Sequence, residues 1–454
     1  MRVFQLKFES KIRYFTKNKD YLELLKGSSM TFILRLLSFI LLYVLNFMIA
    51  KVYGAEALGI YTLSFTFITI CLTLVLLGTD TAIIRLITEY RSQYSLKQAN
   101  IIFTKVMRLL LPLSVLCSVI FFILAEPIAI LVFQEQLLIQ PFRIVSIVLP
   151  FMVMTRMYSK AFRAIKSITK SIYFEIIGIR FGNLIILVFF LLLLNKNIMH
   201  IIYALSIAIT ITAFMSMFSW HKYIQKDVED QKLLLNQIET KSLKEILQIS
   251  IPMYLTSAMT LILNWTDVVI LGVFQSTSTV GVYSIVLKLS LLISFSLSSI
   301  NMIILPKFSE LYWEGRKHDL IKIFRFSSRL IFWTSIPLLF ITILFAPVLL
   351  GIFGDVYVEG VIPLIILCIG QCINACAGSV MNLLNMTGNE KLARNAIVIS
   401  AATNVLGNLI LIPIFGMLGA AVATSLSIII REIMASIYAY KKFRFRTWYI
   451  PFVK

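Results

Sequence analysis

Runs of about 18–25 apolar residues recur along the whole chain, separated by short polar segments, and each is long enough to cross a bilayer as a helix. Twelve are read. Spans 1–6 cover about 28–50, 58–79, 104–125, 137–157, 170–194 and 199–220. Spans 7–12 cover about 247–272, 281–305, 327–350, 358–382, 393–413 and 416–438. The alternating ten-residue strands of an outer-membrane barrel are absent, so the spans are helices. Span 4 is the most interrupted, with Pro141 and Arg143 near its start and Pro150 near its middle.

The polar segments set the orientation. Segments 1–27, 80–103, 156–170, 221–246, 306–326, 383–394 and 439–454 hold nearly all the Lys and Arg. Segments 126–136, 274–280, 351–357 and 414–415 hold none, while 51–57 and 195–198 hold one each, Lys51 and Lys196. This unbroken alternation puts both termini in the cytoplasm and requires an even number of spans. Residues 1–27 are too long and too basic for a cleavable signal, and no small-residue cleavage site follows. Phe4, Phe8, Ile12 and Phe15 fall at helical spacing there and predict an interfacial basic helix. No polar segment is large enough for a soluble catalytic domain, so no enzymatic activity is expected.

The two sets of six spans resemble each other. Gly59-Ile60-Tyr61 recurs as Gly281-Val282-Tyr283, an offset of 222 that also maps Ser28 onto Ser250, Arg85 onto Lys307 and Tyr90 onto Tyr312. Gly182-Asn183-Leu184-Ile185 recurs as Gly407-Asn408-Leu409-Ile410, at offset 225. Matches in constant order and at nearly constant offset indicate an internal repeat. Six spans per half is an even number, so the halves are parallel repeats about an axis along the membrane normal. The expected organisation is a basic segment 1–27, a bundle 28–220, a linker 221–246, a second bundle 247–440 and a basic cytoplasmic tail 441–454, with a central cavity between the bundles.

Composition adds one exclusion. The 454 residues are 59% hydrophobic and only 14% charged, with mean hydropathy +0.90, where a soluble domain has about a quarter charged. The net charge of +20 lies in the loops, beside anionic lipid, and so does not indicate nucleic acid.

Three stretches carry a family resemblance. K-V-Y-G-A-E-A-L-G-I-Y (51–61), T-D-V-V-I-L-G-V-F…V-G-V-Y-S (266–284) and G-N-E-K…N-V-L-G-N-L-I-L-I-P-I-F-G-M-L-G-A-A-V-A-T (388–424) resemble the signatures of polysaccharide-type, Wzx-like flippases. These belong to the multidrug/oligosaccharidyl-lipid/polysaccharide exporter superfamily, and the likeness extends from about 25 to 440. The resemblance implies movement of undecaprenyl-diphosphate-linked repeat units from the cytoplasmic to the periplasmic leaflet of a bacterial cytoplasmic (inner) membrane, by alternating access. O-antigen (lipopolysaccharide), capsule or exopolysaccharide synthesis would use the product. It also implies membrane lipids as surroundings, a polymerase and a chain-length regulator as partners, and H+ or Na+ as coupling ion. The related lipid II flippases carry two further C-terminal spans, for which this chain leaves no room. The competing expectation is a cation-coupled multidrug exporter of the same superfamily.

A charge in the bilayer core costs at least about 2.5–3.5 kcal/mol and therefore faces a partner or a watery path. The in-span charges are Arg35, Arg143, Glu175, Arg180, Asp267, Lys288 and Arg431, with Asp80 at the cytoplasmic end of span 2. Arg35, Arg180 and Lys288 are expected to form a cationic, substrate-binding path for a diphosphate, unless internal salt bridges use them. Asp267 and Lys288 lie at similar depth, ten residues before and eleven after the turn near 277. Asp267 is thus an ion-pair partner of Lys288, a proton or sodium site, or a structural acceptor. Asp80 is grouped with it as a coupling or ion-pair residue. Arg143 is expected to snorkel, and Glu175 and Arg431 to lie at the interface.

Cys71, Cys117, Cys368, Cys372 and Cys376 all fall in spans, the last three amid Gly and Ala, and read as small packing residues rather than a metal site. His200, His221 and His318 are scattered, and no phosphate-binding loop or nucleophile elbow occurs, so no cofactor is expected.

Overall fold

A computed structural model describes residues 19–230 and 241–449. The interfacial helix expected within residues 1–18 and the middle of the 221–246 linker lie outside the described residues.

The described chain is helical, and the helices reproduce the apolar runs. Among the described residues, nine helices are long and apolar enough to cross a membrane. Two of them each contain two spans. Lys19–Leu76 breaks at Gly54 (φ 89°), and Glu390–Phe443 breaks at Gly416 (φ 56°). Positive φ costs a residue with a Cβ but not glycine, so these two positions make the turns between spans 1 and 2 and between spans 11 and 12. Span 7 lies in Leu243–Phe274, whose most apolar portion is Leu261–Phe274. The protein is therefore an all-α polytopic membrane protein with twelve spans in two repeats.

The two halves meet at the end opposite the Lys- and Arg-rich segments, here called the far end. A Cβ on Gly59 would lie 1.7 Å from the Thr277 carbonyl oxygen, and one on Gly281 would lie 2.0 Å from the Ala55 carbonyl oxygen. Gly281 is the repeat equivalent of Gly59, and Thr277 that of Ala55. The contact is reciprocal, as parallel repeats about an axis between spans 2 and 8 require. At the basic end the halves also touch. Gly78 packs on the backbone of Ser250 and Tyr254, and Phe32 and Phe39 pack on Phe295. One large buried cluster runs through both halves, while a smaller one around Phe308, Phe324 and Leu383 closes the basic end of the second half. Exposed Ile123, Leu192 and Phe218 form outward faces suited to lipid tails.

Three local features depart from or add to the sequence expectations. Span 4 does not end near 157: the helix Ile139–Ala164 carries Lys160 into the buried interior, with Pro150 inside it. Span 5 is interrupted by a π-helical turn, Tyr173–Ile177, which holds Glu175. Residues 444–449, within the expected basic tail, are packed on the bundle. They turn at Arg444 and dock Phe445, Thr447 and Tyr449 against spans 9 and 10.

Candidate functional site

Span 1 is the rail on which the cations are ranged. Its Ser38, Tyr43 and Asn46 are polar residues in an apolar helix. Arg180 of span 5 donates to the Ser38 carbonyl at 2.7 Å and to its hydroxyl at 2.5 Å. Lys288 of span 8 donates to Asn46 Oδ1 at 2.7 Å, while Asn46 Nδ2 donates to the Leu42 carbonyl at 2.5 Å. The Tyr43 hydroxyl donates to the Lys288 carbonyl, fixing the backbone of span 8 on span 1. Arg35, one turn from Ser38 toward the basic end, is exposed and has no partner among the described residues. From Arg35 to Asn46 the helix rises about 16 Å.

None of Arg35, Arg180 and Lys288 forms an ion pair among the described residues. Arg180 comes from the first half and Lys288 from the second, and both bond to span 1. Both are held by neutral oxygens, which orient a cation without cancelling its charge. Tyr61 of span 2, bonded at 3.3 Å to Asn183 of span 5, completes the wall beside Arg180. Ser38 and Asn46 are the positions sequence reasoning missed; two polar residues eight apart, about two turns along span 1, were the available signal.

Of the three readings of Asp267, the ion pair with Lys288 does not form. Asp267 Oδ2 accepts from the Thr424 hydroxyl at 2.7 Å and the Tyr283 hydroxyl at 3.1 Å. The reason is azimuth rather than depth. Tyr283 and Lys288 share span 8 but point about 140° apart at 100° per residue. Ser284 and Lys288, one turn apart, face span 1, whereas Tyr283 faces spans 7 and 12. Asp267 instead heads a buried polar chain within the second half. Asn404 Nδ2 donates to Thr424 Oγ1 at 3.1 Å, and Asn408 Nδ2 donates to Asn404 Oδ1 at 3.1 Å. Asp267 Oδ1 and Asn408 Oδ1 are buried with no partner among the described residues.

Asp80 lies in the first turn of the helix Thr79–Gln93, just beyond span 2. It accepts from Arg156 Nε at 3.4 Å, and Arg156 also pairs with Glu175. Lys160 Nζ donates to Glu175 at 2.8 Å, and Ser159 donates to its other oxygen at 3.2 Å. Glu175, near the basic end of span 5, is thus a half-buried member of a four-charge network. Arg143 does not simply snorkel, because it pairs with Glu126 at 2.7 Å over the Phe122 ring. Arg431 pairs with its neighbour Glu432 at 2.8 Å, and Glu432 is fully buried. Arg156, Lys160 and Glu432 were not singled out in the sequence because each sits beside a basic loop or another charge.

Comparison with known proteins follows the same lines. A probable low-salt glycan biosynthesis flippase, Agl15, of Haloferax volcanii is 30% identical over 179 residues, 38% of this chain and 37% of that protein. A second Haloferax volcanii protein, the probable flippase AglR, is 29% identical over 178 residues, 38% of this chain and 37% of that protein. The chain therefore matches little more than a third of the length of these relatives. Among solved structures, the lipid II flippase MurJ in an inward closed conformation superposes with TM-score 0.70 at 16% identity, covering 92% of this chain and 89% of that one. An inward-facing MATE multidrug transporter of the MOP superfamily gives 0.71 at 13% identity, over 89% and 94% of the two chains. The outward-facing form of a MATE transporter gives 0.59 at 16% identity, over 93% and 95%. A family model for polysaccharide biosynthesis proteins matches residues 24–312, well over half of the chain. With that match, the chain belongs to the polysaccharide biosynthesis protein family, and it shares its fold with these transporters.

Proposed function

We propose that the protein is a flippase for lipid-linked oligosaccharides, carrying a diphosphate-linked sugar headgroup across the membrane while the polyprenyl tail stays in lipid. One observation carries this reading: three cations without acidic partners, ranged along span 1 and drawn from both halves. Guanidinium and ammonium donors suit phosphate oxygens. A drug exporter for cationic compounds would favour acid along this path. The basic end faces the cytoplasm on this reading, the membrane is a bacterial cytoplasmic membrane, and the product serves surface polysaccharide synthesis.

The Asp267 chain fits a coupling ion. The Asp267 carboxylate keeps one oxygen without a partner among the described residues, beside the Thr424 hydroxyl, and such oxygens suit H+ or Na+. Asp267 would hold the ion, within the second half and apart from the cations.

Complementation of a deletion strain tests the function. The wild-type gene restores delivery of lipid-linked repeat units to the outer leaflet. Arg35→Ala and Lys288→Ala, at normal membrane levels, lower it about 10- to 100-fold, the worth of a hydrogen bond to a charged group. Normal surface polysaccharide in the deletion strain would remove the function. Full activity of both variants would remove the cationic path.

A further inference from the structure

The first half carries a groove at its basic end, between the span-3 helix Leu96–Pro127 and the span-6 helix Met199–Asp230. It has two compartments, of about 340 and 200 Å³, that share Asn100, Thr104 and Arg108. The larger also includes Ile101 and Lys105. The smaller is lined by Phe103, Met107, Leu111 and Tyr158, with Trp220 and His221 beside them.

Counting donors shows what the groove lacks. The Trp220 indole donates to Asn100 Oδ1 at 2.9 Å, which leaves the Asn100 amide hydrogens unspent. Lys105 Nζ donates once, to the Lys241 carbonyl at 2.9 Å, and an ammonium has three donors. Arg108 is exposed and has no partner among the described residues. His221 Nδ1 donates to the Met217 carbonyl at 2.9 Å, leaving Nε2. No Asp or Glu lines either compartment, and Glu89 nearby is held by Lys241 at 2.6 Å. Unspent cationic donors therefore stand beside an apolar, aromatic compartment. A free phosphate would leave that compartment unused, while an anionic amphiphile fills both.

We propose that this groove binds the phosphodiester headgroup of an anionic membrane phospholipid. Lys105 and Arg108 hold the phosphate, and the glycerol end of the acyl chains lies over Met107 and Leu111. Basic pockets between spans on the positively charged side of a membrane protein suit such headgroups, and Trp and Tyr suit the depth of the interface. The site lies on spans 3, 4 and 6, apart from Arg35, Arg180 and Lys288, and its lipid is retained whatever the protein transports.

Native mass spectrometry of the full chain in detergent tests this, with phosphatidylglycerol or phosphatidylcholine titrated in. Wild-type protein is expected to retain one phosphatidylglycerol more tightly than any phosphatidylcholine. Arg108→Ala and Lys105→Ala weaken it about fivefold each, and about 30-fold together. Thr104→Phe, which fills the groove without removing charge, weakens it as well and keeps the test open if the charge variants fold poorly. Lys322→Ala, an exposed cation on the second-half helix Lys317–Leu344, leaves it unchanged. Equal retention of the two lipids, or unchanged retention in the groove variants, overturns the proposal. Displacement by a short polyprenyl diphosphate at lower concentration than phosphatidylglycerol also overturns it, in favour of a substrate-loading site.

Discussion

Asn46 decides how Lys288 behaves. A buried neutral amide accepts one ammonium hydrogen and leaves the positive charge for something else. An aspartate in the same place would take that charge into an ion pair. Asn46→Asp is therefore expected to keep or raise thermal stability while lowering flipping by at least about tenfold, since a charged contact to the headgroup is lost. Thermal unfolding in detergent and the complementation assay together check this; full transport with Asn46→Asp would mean that the charge on Lys288 is not used. Asp267 gives the converse case. Thr424→Val removes its shorter hydrogen bond and leaves a buried carboxylate with one donor, Tyr283, at a cost of about 1–3 kcal/mol in unfolding free energy. That Asp267 and Lys288 do not pair was not legible in the sequence. Depth along a span can be counted from the turn, but which way a side chain points around a neighbouring helix depends on packing angles that the spacing does not contain.

At the scale of elements, helix breaks proved harder to read than helices. The twelve spans follow from apolar runs, and the turns at Gly54 and Gly416 from short polar or glycine-bearing gaps. The extended end of span 4 was hidden because Lys160 and Arg163 resemble a loop, although Lys160 is buried against Glu175. The docked segment after Phe443 was hidden by its basic residues for the same reason. Its aromatic residues are what the structure uses. Phe445 packs on Phe324, Tyr449 packs on Phe332, and the Tyr449 amide donates to the Cys376 carbonyl at 3.0 Å. That carbonyl lies two residues before span 10 breaks at Gly378 (φ 67°), where intrahelical donors run out. The segment thus ties span 12 to the basic ends of spans 9 and 10. Phe445→Ala is expected to destabilise by about 3–5 kcal/mol, as for a buried phenylalanine, and to open the basic end of the second half to protease. An unchanged melting temperature would show the segment to be a passive covering.

For the whole molecule, the two halves share a scaffold but not a chemistry. The scaffold was legible as an offset of 222, and the structure turns the same offset into a contact: Gly59 on Thr277 and Gly281 on Ala55. The buried charges do not follow the repeat. The first half carries the Asp80–Arg156–Glu175–Lys160 network, and the second carries the Asp267 polar chain. Sequence located Asp80, Glu175 and Asp267 but not their partners, because partners come from other helices.

The reciprocal glycine contact then sets what alternating access demands. Backbone meets backbone there, with no side chain to move aside, so the far end opens only by separating spans 2 and 8 as bodies. Glu56 and Ser278 are repeat equivalents beside this contact. Spin labels on cysteines at these two positions, in a background free of native cysteines, should give a short, narrow distance distribution. Adding Gly59→Ala forces a Cβ toward the Thr277 carbonyl and should lengthen and broaden it. If the far end must open for the headgroup to leave, a short bifunctional crosslink between positions 56 and 278 stops flipping. The same crosslink between positions 126 and 143 joins a pair already bridged within the first half, at 2.7 Å, and leaves flipping intact. Loss of activity in both would point to damage by the reagent. Retention of activity with 56 and 278 tethered would mean that the headgroup passes without the halves parting at this end.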